Sequence, residues 1–341
     1  MKHLWLGLVL LASTQQLFAR VLRVNNSVNS TAEYTDLTTA HAAAEAGDTL
    51  MVEGSSIGYG RLTITKQLTI IGPGYFLGEN AKAPASLSAI VGQFFIKPGE
   101  NNDPSAGGVG TEIIGLSFTE EDNTSIIVSA NNVLIAKCFL SRDIYIGNVN
   151  AITIVQNFSI ASYALRFANA FGAVANNLIF TNNIVNSFRV HDMSSGVVNH
   201  NLFLGADVHI TNFVGEFRSN ILASTRSEDI KVSTVGVGNT SHNTAATGQI
   251  GDDHYNNTST PPEIFVGESG NSTDGQYRLQ QDATAATGNA HDGTDRGPFG
   301  GELPYVLSGL PDLPVILTLQ VPGAAHPSST LSVTLRAISG H

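Results

Sequence analysis

The chain has 341 residues, only 13% of them charged, and a net charge of −11. An acidic balance excludes the basic surfaces that nucleic acid and anionic membranes select. A single cysteine excludes an internal disulfide, and 34 glycines among few charges suit a β-rich extracellular protein. In chain order, Met1 to Ala19 reads as a secretory signal. Lys2 and His3 precede the apolar run Leu4 to Ala12, and a polar stretch ends in Leu17-Phe18-Ala19. The run is shorter than the ~20 residues that span a bilayer, so no membrane insertion is expected. The mature chain is expected to begin at Arg20 and to be secreted: extracellular, periplasmic or attached to the cell surface.

Val21 to Asn25 reads as a first strand and Thr35 to Ala46 as a short Ala-rich helix stopped by Gly47. Thr49–Val52, Leu62–Ile64 and Leu68–Ile71 follow as strands between Gly-containing turns. The run TDLTTAHAAAEAGDTLMVEGSSIGYGRLTITKQLTIIGPG resembles the N-terminal coil of secreted, pectate-lyase-like right-handed β-helix proteins. The resemblance implies a helix lying as a cap over the first coil, where a solenoid would otherwise expose its apolar end. Ala89 to Ile96 and Thr111 to Phe118 supply one further coil, interrupted by a Gly/Asn/Pro/Ser loop from Lys97 to Gly110.

From Thr124 to Thr244 a short pattern repeats six times, marked by Cys138-Phe139, Asn157-Phe158, Asn183-Ile184, Asn201-Leu202, Asn220-Ile221 and Asn243-Thr244. The steps between markers are 19, 26, 18, 19 and 23 residues. An apolar residue stands three or four places upstream, as at Leu134, Ile154, Ile179, Val197 and Phe217. A second short strand lies ten to twelve residues before each marker: SIIV, DIYIG, ALRFA, FRVHD, DVHIT and DIKVS. A period near 20 with no room for a helix belongs to a stacked β-coil whose units bury their apolar faces only on one another. The expected fold is therefore all-β: a single-stranded right-handed parallel β-helix over 20–300, with an N-terminal helical cap. The marker asparagines are expected at turns, each amide bonding the asparagine of the next coil. Cys138, on a marker position, is expected to be a buried packing thiol.

Residues 245–300 lose the rhythm. The stretch QQDATAATGNAHDGTDRGPFGG resembles the last-coil signature of bacterial secreted β-helix proteins. Asp292 and Asp295 match no full calcium loop and are expected to bond their own backbone in tight turns. Residues 301–341 read as a Pro-punctuated linker and a β-hairpin of Val315–Val321 and Leu331–Ala337. This tail resembles those of surface-exposed proteins from Bacteroidetes-like bacteria.

The chemistry is expected on the outward side of the second-strand column. With Ile126, Ile144, Leu165, Val190, Val208 and Ile230 aligned inward, one outward row becomes Ile127, Tyr145, Arg166, His191, His209, Lys231. The other becomes Ser125, Asp143, Ala164, Arg189, Asp207, Asp229. Neighbours in a row stand about one strand spacing, ~4.8 Å, apart. Tyr145, Arg166, Arg189, His191, His209 and Lys231 are thus the candidates for holding an extracellular polysaccharide. For uronate-lyase chemistry, Arg166 or Arg189 would neutralise the sugar carboxylate, and Lys231, His209 or Tyr145 would serve as base or acid. Asp207 and Asp229 could hold Ca2+ or form a glycosidase carboxylate pair. Outward polarity is also what any solvated sheet face shows.

The chain departs from pectate lyases and polygalacturonases: neither the paired-Asp motifs nor the Arg context of those enzymes is intact. Asp192 is a second departure, falling where Val128, Ile146, Phe167, Ile210 and Val232 point inward, a costly place for a lone carboxylate. The reading is a secreted, monomeric β-helix that binds extracellular polysaccharide, with uronate-lyase-like cleavage left open. The alternative is a non-catalytic structural or adhesive protein of the cell surface.

Overall fold

The computed structural model describes residues 19–83, 87–119, 122–162, 164–167, 176–191, 195–205, 207–224, 230–235, 239–246, 256–320 and 333–338. The signal-like segment 1–18 lies outside them. Among the described residues the chain winds into a parallel β-solenoid with three faces. The first sheet has ten parallel strands, from Val21–Val24 at one end to Thr240–Ser241 at the other. The second has nine, each two residues long, from Ile90–Val91 to Asn257–Thr258. The third face is made of a five-stranded piece, Leu62–Ile64 to Leu165–Phe167, and a three-stranded piece, Phe188–His191 to Ile230–Thr234.

The strands follow from alternation, since one residue in two must enter the shared core. In the first sheet the inward column is Ile135, Ile154, Phe180, Val198 and Phe217, on paired positions. Leu134, Ile179 and Val197 pair with Thr153 and Glu216 on the opposite face. The upstream apolar residues picked out in the sequence therefore mix two faces, because a shift of one residue turns a side chain over. In the third sheet Ile126, Ile144 and Leu165 pair inward as expected, and the buried Val208 stands in register with Ile230. Val208 pairs below with Phe188, however, not with Val190. Phe188 is fully buried and packs on Phe180 and Phe203, with ring centroids 4.6 and 5.7 Å away. The larger ring takes the core place that the sequence alignment gave to valine.

A helix of seven residues, Leu37–Ala43, follows the first strand and buries Leu37 and Ala40. Asp36 caps it by accepting a hydrogen bond from Thr39 N at 2.8 Å. At the far end of the chain Val315–Gln320 and Thr334–Ile338 pair antiparallel as a hairpin.

The corner between the first and second sheets is built twice over. Lys137, Gln156, Asn182, His200, Ser219 and His242, each just before a marker, all have φ between 53° and 58°. This left-handed turn swings the next residue inward, and there the markers form the expected ladder. Asn157, Asn183 and Asn201 each donate Nδ2 to Oδ1 of the next asparagine, at 3.0–3.1 Å, as does Asn220 to Asn243. The same Oδ1 accepts the backbone N–H of the marker below it, and Nδ2 also reaches carbonyls such as Ile135 O and Val155 O from Asn157. A buried column of amides is tolerable because its polar atoms are so fully used.

Residues 259–312 add no further coil to the sheets. They run back along the outside of the second sheet, where Phe139, Phe158, Ile184, Leu202 and Ile221 form a second apolar cluster with Ile264, Phe265 and Tyr305. The descent is read off the turn column in reverse order. Arg296 Nη1 donates to Asn243 O at 2.7 Å, and Gly297 N to Ser219 O at 2.8 Å. Asn182 Nδ2 donates to Pro298 O and Gly300 O, and Gln156 Nε2 to Pro304 O at 2.6 Å. Lys137 Nζ meets Asp312 Oδ1 at 2.6 Å. The Tyr75 and Tyr305 hydroxyls are hydrogen-bonded to each other, and Asp274 accepts from Tyr305 and from Ser308 N. The stretch read as a last coil is thus a return strap, fixed by small residues and turns rather than by strand pairing.

Candidate functional site

The expected row on the third sheet exists in altered register. Tyr145 pairs with Arg166, and Arg189 pairs with His209, which pairs with Lys231. Between the two pieces of the face, Ala164 N donates to Ser187 O. Ser125 N donates to Asp143 O in the same way just before the Ile126–Ile144 pair, so Arg166 and Arg189 also fall in one row. The row of paired positions therefore reads Tyr145, Arg166, Arg189, His209, Lys231. His191 leaves it and pairs with Thr211. The correction is a shift of two residues, an even step that changes the pairing partners and preserves the alternation. It also removes the difficulty of Asp192: Val190, not Asp192, pairs with Ile210, and Asp192 lies outside the described residues.

Arg189 donates Nε to Asp207 Oδ1 at 2.8 Å and Nη2 to Asp207 Oδ2, a bidentate fork. His209 Nε2 stands 3.5 Å from Asp207 Oδ1. One carboxylate thus gathers an arginine and a histidine from neighbouring coils, and both its oxygens are engaged by protein groups. Arg166, His191 and Lys231 are described by their backbone alone, and Asp229 lies outside the described residues. The Asp207–Asp229 pairing proposed for Ca2+ or glycoside hydrolysis therefore rests on Asp207, whose oxygens face Arg189. Among the described residues no three His, Cys, Asp or Glu side chains come together as metal ligands.

A second site lies where the strap crosses the first sheet. A cleft of about 490 Å³ opens between the outward residues Ile179, Val197 and Glu216 and the strap residues His291, Asp292 and Glu302. His200 lines it, 7% exposed, with Nε2 3.2 Å from Asp292 Oδ2 and Nδ1 buried without a partner. Burial pulls the His200 pKa below its usual value, more than Asp292 and the backbone of Asp295 and Gly297 raise it. Asp292 is itself held below the usual carboxylate range: hydrogen bonds from Thr294 and the nearby imidazole outweigh its partial burial. As expected, Thr294 N donates to Asp292 across a tight turn; Asp295 instead accepts from Gly288 N, seven residues earlier, and so ties two parts of the strap together. Arg218 crosses the cleft wall, 3.2 Å from Glu216 and donating to His291 Nε2. His291 in turn stacks on His242, with ring centroids 5.1 Å apart.

Sequence reasoning missed this cleft because it looked for one face of one sheet. The signal available was the apolar doublets Leu134-Ile135, Ile179-Phe180 and Val197-Val198, which give the first sheet an outward apolar stripe where a solvated face would be polar.

These features define the class as an all-β parallel solenoid with a charged third face and a strap-walled cleft. No protein-family model matches the chain, and no curated protein matches it significantly. Among the described residues no helix is long and apolar enough to cross a membrane.

Proposed function

We propose that this is a secreted polysaccharide-binding β-helix whose third face holds an acidic glycan. The reading rests on one observation: Arg189, His209 and Lys231 occupy paired positions in successive coils, continuing the row of Tyr145 and Arg166. Basic groups at a fixed ~4.8 Å step suit a polymer that presents a carboxylate and hydroxyls at each unit. An extended solenoid face suits a ligand with no fixed end. Secretion is supported by the charged start, apolar run and small-residue end of residues 1–19.

Cleavage by β-elimination is the second reading, favoured by His209 beside the Arg189–Asp207 fork. Arg166 would neutralise the uronate carboxylate, and one of His209 and Lys231 would take the adjacent C–H proton. The other would protonate the leaving oxygen as the glycosidic C–O bond breaks and the C=C bond forms. The test is titration of the full chain with pectic, alginate and glycosaminoglycan oligomers, with absorbance of unsaturated uronates followed in parallel, with and without calcium. Saturable binding weakened by Lys231→Ala supports the proposal, and new absorbance lost in His209→Ala supports cleavage. A folded sample that binds none of these polymers sinks both and leaves a structural or adhesive role.

A further inference from the structure

The geometry points to the strap-walled cleft as a second binding site, for an amino sugar: a pyranose carrying a free ammonium group. It is separate from the third-face row, being built on the first sheet and the strap, and it does not depend on that row's role.

The exposed charged groups of the cleft are carboxylates. The Glu216 and Asp292 side chains are each 41% exposed. Glu302 is exposed and makes no hydrogen bond or ion pair among the described residues. His200 meets Asp292 through Nε2 at 3.2 Å, and its Nδ1 is buried with no hydrogen-bond partner among the described residues. The one arginine of the wall is engaged: Glu216, His291 and Asn239 all take its guanidinium, and its side chain is only 16% exposed. With Arg218 held by Glu216 and His291, the carboxylates of Asp292 and Glu302 leave the cleft acidic, which repels a uronate and favours a ligand that brings donors and positive charge.

The floor decides between a sugar and a lysine side chain. Ile179, 43% exposed, and Val197 sit side by side on paired strands, about 4.8 Å apart. That makes an apolar shelf as broad as a sugar ring's C–H face, with acceptors at its rim where hydroxyl and ammonium groups emerge. A thin alkyl chain would leave most of the shelf wet. The cleft volume lies within the ~300–1,000 Å³ typical of small-ligand sites.

The test is titration calorimetry of the full chain at pH 7 with four tetramers: glucosamine, N-acetylglucosamine, galacturonate and lysine. The glucosamine tetramer should bind saturably, at least tenfold more tightly than the acetylated one, which keeps the ring and loses the charge. Glu302→Gln and Glu216→Gln should each weaken it about tenfold, the loss expected when one charged hydrogen bond is removed. Glu302 holds no partner among the described residues, so its variant keeps the fold and the test stands if Glu216→Gln disturbs Arg218. Equal affinity for the acetylated tetramer, equal affinity for the lysine tetramer, or indifference to both substitutions would overturn the assignment. Displacement of glucosamine tetramer by galacturonate tetramer would also overturn it.

Discussion

The thiol of Cys138 occupies, at the foot of the amide column, the place that the carboxamide of Asn157 occupies one coil higher. Cys138 Sγ lies 3.2 Å from Ala136 O and 3.8 Å from Ile113 O, while Asn157 Nδ2 lies 3.1 Å from Val155 O and 3.0 Å from Ile135 O. The two pairs of carbonyls correspond residue for residue. The sulfur answers the same acceptors with a weaker donor.

Cys138→Asn should therefore lengthen the ladder by one rung. Its Oδ1 would meet the backbone N–H of Leu116, which the thiol now receives, and its Nδ2 would reach Asn157 Oδ1. The expected gain is about 1 kcal/mol, the net worth of one good buried hydrogen bond, read as a raised urea midpoint. The native thiol should be inert to thiol reagents, since burial pushes its pKa up to about 12.

Within the ladder the opposite change is costly. Asn201→Ala removes donors to Phe180 O, Asn199 O and Asn220 Oδ1, and the acceptor used by Asn183. Leaving several buried groups unpaired should cost about 3 kcal/mol, at the upper end for a single site. Denaturant unfolding of Asn201→Ala measures it, and an equal loss in the end-rung variant Asn256→Ala, whose Oδ1 takes the Asn243 N–H, would contradict a cooperative column.

Acid should loosen the strap. The folded His200 pKa lies below its usual 6.5, so the unfolded chain binds a proton on this imidazole at a pH where the folded chain does not. Stability is complete above pH 6.5 and is lost as pH falls from there through the lowered folded value. Asp292, whose pKa is below 3.8, acts only in a more acid window. Urea midpoints at pH 7.5 and 5.5 should fall for the natural chain and fall less for His200→Gln. Gly301→Ala should destabilise at both pH values by about 1–3 kcal/mol. Its φ is +74°, and a Cβ there would stand 3.0–3.2 Å from the His200 ring.

At the lower end of the strap, Lys137 is buried while its partner Asp312 is half exposed. Asp312→Ala should cost about 1–2 kcal/mol, less than a fully buried pair because water reaches the carboxylate. Limited proteolysis should then cut nearer the strap than in the natural chain.

The stack was legible because its evidence is local and repeated: Asn before an apolar doublet, a step near 20, and alternation that assigns Ile144 and Val208 inward. The register between Leu165 and Phe188 was not, because the 26-residue step carries extra chain and both Phe188 and Val190 satisfy the inward pattern. Core volume, supplied by Phe180 and Phe203, selects the phenylalanine. The strap was invisible for a different reason. Contacts such as Asn182 to Pro298 join residues 116 apart through backbone carbonyls, which leave no mark on side-chain composition. The cleft inherits that blindness, since half its wall is strap.

The strap also sets the protein's length. A simple solenoid grows or shrinks by one coil with little penalty, since each repeat meets only its neighbours. Here a duplicated coil would lift everything above it by ~4.8 Å, while the returning chain still reaches for Gln156, Asn182 and Ser219 at their old heights. Tyr75 and Tyr305, 230 residues apart, are tied at one level of the stack. Insertion or loss of a repeat must be matched in the strap by the same rise, so the two halves of the chain can change size only together.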